Sequence, residues 1–377
     1  MITVKEVLTK KEWKDFATFP VKLYKDNPYY VPSFIDDEMN ITNLKKNPPA
    51  ENCLVKAFLA YKDGILAGRI AGIVVTKSNE LFNEKAIRFS RFDFIEDIEV
   101  AKALLDAVKN YGKSLGMTRM HGPWGFNDTD REGMLIQGFD QNGSYATYYN
   151  YPYYPEFMKA LNYKDESIWV EEKLNPPKKG SEYYEKLIKL GNYVKKKYQL
   201  TDITEIYPVK KYVKLYGDKF FDCFNEAYKI LDMFVEISGE AKQRVLDQFA
   251  SIINPRYVSI LVNKEDKVVA FTIVLPAIGD AIKKHGGKGN IFALLDVLKL
   301  IKKPKAVELT LTAVHPDYKN FGLTSACMSK IIQNLDKDGI EYLYADPTLE
   351  TNTAVRAQYD GLGSEIIKRR QTFTIDI

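Results

Sequence analysis

The sequence predicts an α/β protein built from two tandem domains of similar design, each a mixed twisted sheet flanked by helices. The chain has 377 residues, enough for two domains of ordinary size. β-rich runs alternate with amphipathic helical segments along its whole length. The order strand, turn, strand, followed later by a helix that leads into a strand, occurs once in each half. This repeated order indicates an internal duplication of architecture.

The first half opens with a polar helix and a Pro-bearing stretch. An Asp-Gly turn at Asp63 and Gly64 joins two β-rich runs, which is a strong hairpin signal. Residues 125–154 are rich in Gly, Asp, Asn and Tyr without periodicity, and long loops of this kind are commonly functional. The predicted elements are helix 9–24, strands 54–61, 65–76 and 86–94, helix 98–115, strand 118–124, helix 155–161 and strand 167–174.

The second half repeats the scheme after a Pro-Pro-Lys-Lys-Gly junction at residues 176–180. We therefore predict domains at 1–175 and 176–377. Helix 291–301 is apolar and flanked by lysines, so it either packs on the second domain or docks to a membrane surface or an acyl chain. The other predicted elements are helices 182–198, 209–227 and 239–253, strands 257–262, 267–275 and 306–314, helix 324–337, strand 342–346, helix 353–361 and strand 365–375.

Composition excludes several classes of protein. The 54 basic and 50 acidic residues give a net charge of +4, which is low and dispersed for a nucleic-acid binder. Three cysteines and three histidines lie far apart without metal-ligand spacing, so we expect free thiols and no metal. The first residues lack the apolar core of a signal peptide, and no apolar stretch approaches bilayer length. We expect a cytoplasmic protein without stable membrane insertion.

The most informative segment is residues 308–325. It begins as an alternating strand that places Glu308, Thr310 and Thr312 on one face and the intervening apolar residues on the other. A polar strand face predicts a wet cleft, since a sheet covered on both sides is normally apolar. Gly322 permits a tight turn into a helix, whose free N–H groups and dipole are suited to a pyrophosphate.

This segment resembles motif A of the GNAT (GCN5-related N-acyltransferase) superfamily. Lys319 and Thr324 depart from the family pattern, which has Arg or Gln and Gly or Ala there. A second stretch, from Asn352 to Gly363, resembles the family's N-x-x-A-x-x-x-Y-x-x-L-G signature. The motif A residues that fit are Val314, Pro316, Tyr318 and Gly322.

The whole chain is similar to the tandem GNAT proteins of the bacterial YghO-like group, and more distantly to N-myristoyltransferases and Fem-type peptidyltransferases. The features that carry this resemblance are Tyr-Lys-Asp-Asn-Pro at 24–28, Gly122-Pro123, Asn127-Asp128, Gly138-Phe139-Asp140, Tyr149-Asn150, Tyr153-Tyr154 and the basic insert 290–305.

The resemblance implies acetyl-CoA or another acyl-CoA as co-substrate and a small-molecule or peptide amine as acceptor. Glu308 occupies the position of a general base and Tyr359 that of a general acid. The structural alternatives are a Glu308 that pairs with a nearby lysine and a Tyr359 that packs in the core. The residues expected at the CoA are Ala313, Val314, Lys319, Asn320, Phe321, Gly322, Leu323, Thr324, Ser325 and Asn352. Those expected at the acceptor are Asn127, Asp128, Asp130, Arg131, Tyr149 and Asn150, unless that loop only caps its own turns.

The first half lacks a phosphate site of its own. Glu96, Asp97 and Glu99 stand at the start of helix 98–115, where carboxylates favour the helix dipole but repel a pyrophosphate. We interpret this half as a degenerate copy that either shapes the acceptor site or serves as scaffold. The rival functions are a non-catalytic protein that binds CoA or another small molecule and a Fem-type aminoacyl transferase. The acyl group, the acceptor and the oligomeric state stay open.

Overall fold

Within the residues that it describes, the computed structural model contains one continuous sheet of thirteen strands with helices on both faces. It describes residues 1–127, 130–231, 234–237 and 239–377. The strands are β1 (Ile2–Glu6), β2 (Cys53–Lys62), β3 (Ile65–Val75), β4 (Ala86–Phe94), β5 (Arg119–Gly122), β6 (Met134–Gln137), β7 (Lys164–Leu174), β8 (Thr201–Asp202), β9 (Val258–Val262), β10 (Val268–Pro276), β11 (Ala306–Val314), β12 (Tyr342–Leu349) and β13 (Glu365–Asp376).

The helices cover both faces of this sheet. They are α1 (Lys10–Leu23), α2 (Ile35–Met39), α3 (Thr76–Phe82), α4 (Ile98–Ser114), α5 (Tyr153–Ala160), α6 (Glu182–Lys197), α7 (Val209–Tyr228), α8 (Glu240–Ile252), α9 (Gly279–Lys284), α10 (Ile291–Lys302), α11 (Leu323–Lys337) and α12 (Thr353–Arg356). No helix in the part of the chain described above is long and apolar enough to cross a membrane.

The strand order reveals two similar halves. It runs β1-β2-β3-β4-β5-β13-β7-β12-β11-β10-β9-β8, with β6 paired to β13 beside β5. Outward from the central pair β7 and β13, the series β5 to β1 on one side mirrors β12 to β8 on the other. The pairs β4–β5 and β11–β12 are parallel, and the other pairs are antiparallel. The predicted α/β class with two tandem domains of one design is therefore confirmed.

The two halves exchange their last strands. β7, which closes the first half in the chain, pairs with β12 of the second half. β13, which closes the second half, pairs with β5 of the first half. β7 and β13 also pair with each other over most of their length. The predicted junction at 176–180 follows β7 directly. The domain boundary at this junction stays a prediction, because one continuous sheet includes strands from both sides of it.

Helices on each face bury separate cores. In the first half, α4 packs one face through residues such as Leu104, and α1 packs the other through Phe16. In the second half, α6 and α11 share one face, where Ile331 is buried. On the opposite face α7 and α8 bury aromatic residues, including Phe224, against β10. This opposite face becomes one wall of the candidate site.

Several short elements escaped the sequence prediction. β6 lies inside the segment predicted as loop 125–154, and helix α3 begins at Thr76, where a strand was predicted to end. β1, α2, β8 and α9 were also missed. Each has seven residues or fewer, too short for periodicity to be informative. β1, for example, owes its strand conformation to pairing with β2, whose residues lie more than 50 positions away.

The predicted alternation along β11 is wrong beyond Leu309. Ile273 and Val274 of β10 face Leu311 and Leu309, so Thr310 is the extra residue of a β-bulge. Leu309 therefore packs toward α11, whereas Leu311 packs toward α7. The bulge shifts the pattern by one residue, and Glu308 consequently shares its face with Leu311 instead of with Thr312.

Candidate active site

The parallel strands β11 and β12 separate at the centre of the second half. Their register runs from Ala306 opposite Tyr342 to Leu309 opposite Ala345, where the pairing recorded for the described residues ends. Beyond that point β11 follows β10, while β12 follows β7 past a bulge. The side chains and backbone of 310–314 and 346–349 line a cavity of about 1610 Å³ that enters this opening.

A tight loop and a helix N-terminus close one end of the cavity. Gly322, with a φ of 79°, is the residue before α11, and Asn320 has a φ of 67°. The first N–H groups of a helix have no acceptor within it, and the dipole adds positive potential there. Residues 318–320 and 322–325 line the cavity, so the structure brings the predicted phosphate site together with the strand opening.

Two predicted CoA residues have other contacts. The Phe321 ring stacks on Tyr198 with ring centroids 5.0 Å apart and an interplanar angle of 8°. The Asn352 side chain accepts a hydrogen bond from the backbone N–H of Val355 (3.3 Å) and so caps α12, although it also lines the cavity. Ala313 and Val314, in contrast, lie at the end of β11 on the cavity wall.

Glu308 is a buried carboxyl group on the cavity wall. Burial raises its pKa to about 7, and a hydrogen bond from the Ser144 hydroxyl (2.8 Å) opposes that rise. Ser144 belongs to the loop of the first half, and its oxygen also accepts from the N–H of Ala146 (3.0 Å), which orients the hydroxyl. A carboxyl group that titrates near neutral pH suits proton transfer in either direction.

Asp346, at the mouth of the strand opening, is a second buried carboxyl. Burial, together with the negative charges of Glu308 and Glu171, holds the pKa of Asp346 well above its ordinary value. Like charges in one poorly hydrated site disfavour double ionisation, so Glu308 and Asp346 do not readily ionise together. The pair therefore favours retention of at least one proton.

The exchanged strands supply the charges beneath this pair. Glu171 of β7 forms buried ion pairs with Lys368 (2.8 Å) and Arg370 of β13. Burial opposes the ionisation of Glu171, but these two cations overcome it and hold its pKa at about 2. Glu171 thus stays ionised, and its fixed negative charge contributes to the raised pKa values of Glu308 and Asp346.

Tyr359 lies on the same cavity wall, hydrogen-bonded to Thr348. Burial raises the pKa of Tyr359 to about 12. Its ring packs in the core under β12 together with Leu362. The hydroxyl therefore remains protonated at neutral pH, and the ring packs in the core as the structural alternative expected. The role of Tyr359 as a general acid stays a prediction.

The loop of the first half brings part of the predicted acceptor site to the cavity. Asn127, Asp130 and Arg131 all line it. The Arg131 guanidinium lies over the rings of Tyr145 (5.0 Å) and Tyr148 (5.4 Å). The Asp130 carboxylate accepts hydrogen bonds from backbone N–H groups of the loop itself. It therefore caps its own turn, as expected from the alternative in which the loop has a structural role only.

Two predicted acceptor residues do not line the cavity. The Tyr149 hydroxyl donates to the carbonyl of Phe139 (3.0 Å), and the buried Asn150 amide bridges the backbone of Leu135 (2.7 and 3.0 Å). Both hold the loop in shape, so we exclude them from the proposed site. Asp128 lies outside the described residues.

The corresponding opening of the first half is filled. The N–H of Trp124 donates to the carbonyl of Phe89 on β4 (2.9 Å), which closes the edge that stays open on β11. The Asp97 side chain caps α4 by accepting from the N–H of Glu99 (2.9 Å). A carboxylate thus stands at this helix N-terminus, as the sequence predicted, and the two potential CoA sites differ.

Sequence reasoning missed Asp346 and Ser144. Asp346 ends a strand whose parallel neighbour carries Glu308, and that pairing was the available signal. Nothing local marks Ser144, because its partner lies 164 residues away. Across the described residues, no three His, Cys, Asp or Glu side chains are grouped so as to hold a metal ion.

Comparison with known proteins identifies the fold of the site. Residues 218–363 match the family model described as the acetyltransferase (GNAT) family. Residues 218–363 of this chain carry a GNAT domain. The match covers residues 318–325, the predicted phosphate loop, together with the strand opening, Glu308 and Tyr359, and it supports the resemblance to motif A. The GNAT family uses acyl-CoA as co-substrate, and the loop, helix N-terminus and open strand edge fit such a molecule.

Similarity to known proteins extends over both halves of this chain. The chain is 25% identical to protein YghO of Escherichia coli (strain K12) over 98% of this chain and 94% of that protein. It is 24% identical to the bacterial ceramide synthase of Caulobacter vibrioides (strain NA1000 / CB15N) over 140 residues, 37% of this chain and 36% of that one. A tandem GNAT protein from the clavulanic acid biosynthesis pathway shares the fold, with a TM-score of 0.55 and 12% identity over 100% of this chain and 98% of its own.

Proposed function

We propose that this protein transfers an acyl group from acyl-CoA to an amine acceptor that is bound between the two halves. The observation that carries the proposal is Glu308: a buried carboxyl with a pKa of about 7, in the cavity that the phosphate loop also lines. Ser144 of the first half hydrogen-bonds to it, so the acceptor side of the site includes both halves. An amine must lose a proton to attack a thioester, and a base of this pKa can accept it.

The proposed reaction is a direct attack in a ternary complex. The CoA phosphates bind at residues 318–325, and the thioester lies in the opening between β11 and β12. Glu308 accepts the proton of the amine as the nitrogen bonds to the acyl carbon. The carbon–sulfur bond then breaks, and the Tyr359 hydroxyl gives its proton to the departing thiolate. Backbone N–H groups near Ala313 and Val314 stabilise the oxyanion that forms in between.

The apolar wall of the cavity favours a substrate with an alkyl chain. One stripe of α7 contributes Phe220, Phe224 and Ala227, and one stripe of α8 contributes Val245 and Phe249. The cavity of about 1610 Å³ exceeds the roughly 300–1,000 Å³ of ordinary ligand sites. An acetyl group needs little of this wall. We therefore propose a long-chain acyl group or a lipid-like amine, in line with the name of the ceramide synthase relative.

Turnover tests the proposal most directly. Release of free CoA thiol is measured with acyl-CoAs of increasing chain length and a panel of amines, including long-chain amines. Glu308→Gln and Tyr359→Phe are each expected to lower kcat by about 10²–10⁴-fold while leaving CoA affinity unchanged. Tyr184→Phe is the matched control, because Tyr184 is equally buried in the same core and does not line the cavity. CoA binding without turnover across the panel would favour a non-catalytic protein.

Chain-length preference tests the alkyl channel separately. Ala241 of α8 lines the cavity. Ala241→Leu is therefore expected to shorten the longest acyl chain that the protein accepts, without lowering the rate with acetyl-CoA. Ala250 of α8 is similarly half-buried but does not line the cavity, and Ala250→Leu is expected to leave the preference unchanged. An acyl-CoA series with a fixed short amine, and an amine series with acetyl-CoA, show whether the alkyl chain belongs to the donor or the acceptor.

A further inference from the structure

Helix α10 presents an unusually apolar outer surface. Its inner side chains, including Ala293 and Val297, pack against α9 and the residues around Ile278. Five large apolar side chains point outward within eight positions, and each is between 47% and 68% exposed. They are Ile291, Phe292, Leu294, Leu295 and Leu298. Exposed apolar residues usually occur singly, so a contiguous set on a helix whose inner side is also apolar indicates a surface of contact.

The positive charge of the protein is concentrated beside this helix. Residues 283–305 hold seven lysines and one aspartate, a net +6, in a chain whose total is +4. The rest of the chain is therefore slightly acidic. The single acid, Asp296, is bound by Lys284 (2.7 Å) and by His285 (2.8 Å), so it is already neutralised locally. Lys288, Lys299 and Lys302 are exposed at the two ends of the helix.

We propose that α10 docks this protein on an anionic lipid bilayer, with the helix lying in the plane of the interface. The outward side chains enter the boundary between headgroups and acyl chains, and the lysines contact lipid phosphates. Neither interaction requires a span, in keeping with the absence of a spanning helix from the described chain. The inner face of α10 packs with Ile278 and Tyr145, which both line the cavity, so docking brings the cavity close to the lipids.

A second copy of the chain fits this surface less well. A 12-residue helix is about 18 Å long, so it offers far less than the roughly 800 Å² per partner of a stable interface. Pairing α10 with itself would also bring two clusters of net charge +6 together. An anionic bilayer removes both difficulties, because it supplies opposite charge and an apolar layer without a shape requirement.

Flotation of the full chain with vesicles tests the proposal. We expect binding to vesicles of equal parts phosphatidylcholine and phosphatidylglycerol, weaker binding at high ionic strength, and little binding to phosphatidylcholine alone. Leu294→Gln/Leu295→Gln/Leu298→Gln is expected to lower the partition coefficient more than about tenfold. Lys299→Gln/Lys302→Gln/Lys303→Gln is expected to lower it roughly fivefold per lysine on the anionic vesicles. Gln keeps the helix propensity of the replaced residues.

The control variant changes leucines elsewhere. Leu190 of α6 and Leu215 of α7 are 41% and 49% exposed, and Leu190→Gln/Leu215→Gln is expected to bind vesicles like the wild type. Equal binding by the α10 leucine variant and the wild type would overturn the proposal, as would no binding by the wild type. A dimer in solution that the α10 variant converts to a monomer would also overturn it, by assigning the surface to a second copy. None of these readouts depends on acyl transfer.

Discussion

At the scale of single residues, the proposed site contains a carboxyl group, Glu308, that the fold makes hard to ionise. Burial raises the pKa of Glu308 from 4.5 to about 7. Its ionised form is therefore disfavoured in the folded protein relative to the unfolded chain. The stabilising effect of the bound proton is complete below pH 4.5, declines as the pH rises toward 7, and is lost above that.

Glu308→Gln is accordingly expected to stabilise the protein in a pH-dependent way. Glutamine carries no charge, so the variant avoids the penalty of a buried carboxylate. We expect a gain of up to about 3 kcal/mol in the free energy of unfolding at pH 8 and little gain at pH 4.5. Urea unfolding at the two pH values measures it. A variant that is less stable than the wild type at pH 8 would contradict the assigned environment of Glu308.

The Ser144 hydroxyl lowers the pKa of this carboxyl group and so opposes the effect of burial. Its hydrogen bond favours the ionised form, so Ser144→Ala is expected to raise the pKa of Glu308 further. The acid limb of the pH profile of kcat/KM should move up by about one pH unit. A shift of that size corresponds to the typical free energy of a hydrogen bond to a charged group. Ser167 lines the cavity without contacting Glu308, so Ser167→Ala should leave the profile unmoved. An unshifted limb in Ser144→Ala would remove Glu308 from the role of base.

At the scale of elements, the start of α11 is the proposed CoA site. Gly322 adopts a left-handed conformation, and an added Cβ would lie 3.3 Å from Val194. Asp97 shows the contrast in the first half, since its own carboxylate occupies the N-terminus of α4. We therefore expect one CoA per chain, bound at the second half.

Gly322→Glu tests that assignment. A carboxylate at this turn repels the pyrophosphate and strains the backbone, so CoA binding measured by calorimetry should be lost. Gly339 ends α11 with a φ of 68° in open space, and Gly339→Glu imposes a similar strain far from the cavity. The control should lose comparable thermal stability and keep CoA affinity. Undiminished binding in Gly322→Glu would place the cofactor elsewhere.

At the scale of the whole molecule, strand exchange joins the two halves into one sheet. β7 and β13 lie between β5 and β12, and neither half retains its last strand at its own edge. The buried pair of Glu171 and Lys368 spans these two strands. Separating the halves would expose both strand edges and leave buried charges without partners, so we expect the halves to unfold together.

Matched core substitutions test this cooperativity. Leu104 of α4 and Ile331 of α11 are fully buried at equivalent helices. Leu104→Ala and Ile331→Ala are each expected to destabilise the protein by about 2–5 kcal/mol. In calorimetry both substitutions should lower the midpoint temperature of one and the same unfolding transition. Two transitions, of which each variant moves only one, would show that the halves are thermodynamically independent.

Local sequence was sufficient for much of the fold and for one end of the site. The strand β11, the turn at Gly322 and the start of α11 depend on side-chain periodicity and backbone preferences within about 20 residues. Those signals predicted the phosphate loop, and helices as long as α4 and α11 were also predicted closely, because several turns of apolar periodicity leave little ambiguity. The carboxylate at the N-terminus of α4, Asp97, was also predicted, because it too is a local feature of the sequence.

Packing between distant segments defined the rest. Ser144 meets Glu308 across 164 residues, and Asp346 meets it only because β11 and β12 run parallel before they separate. The bulge at Thr310, which places Leu311 on the same face of β11 as Glu308, results from pairing with β10. The raised pKa of Glu308 is likewise a product of burial. Strand pairing, burial and hydrogen bonds between remote side chains depend on the assembled sheet, and no local pattern in the chain encodes them.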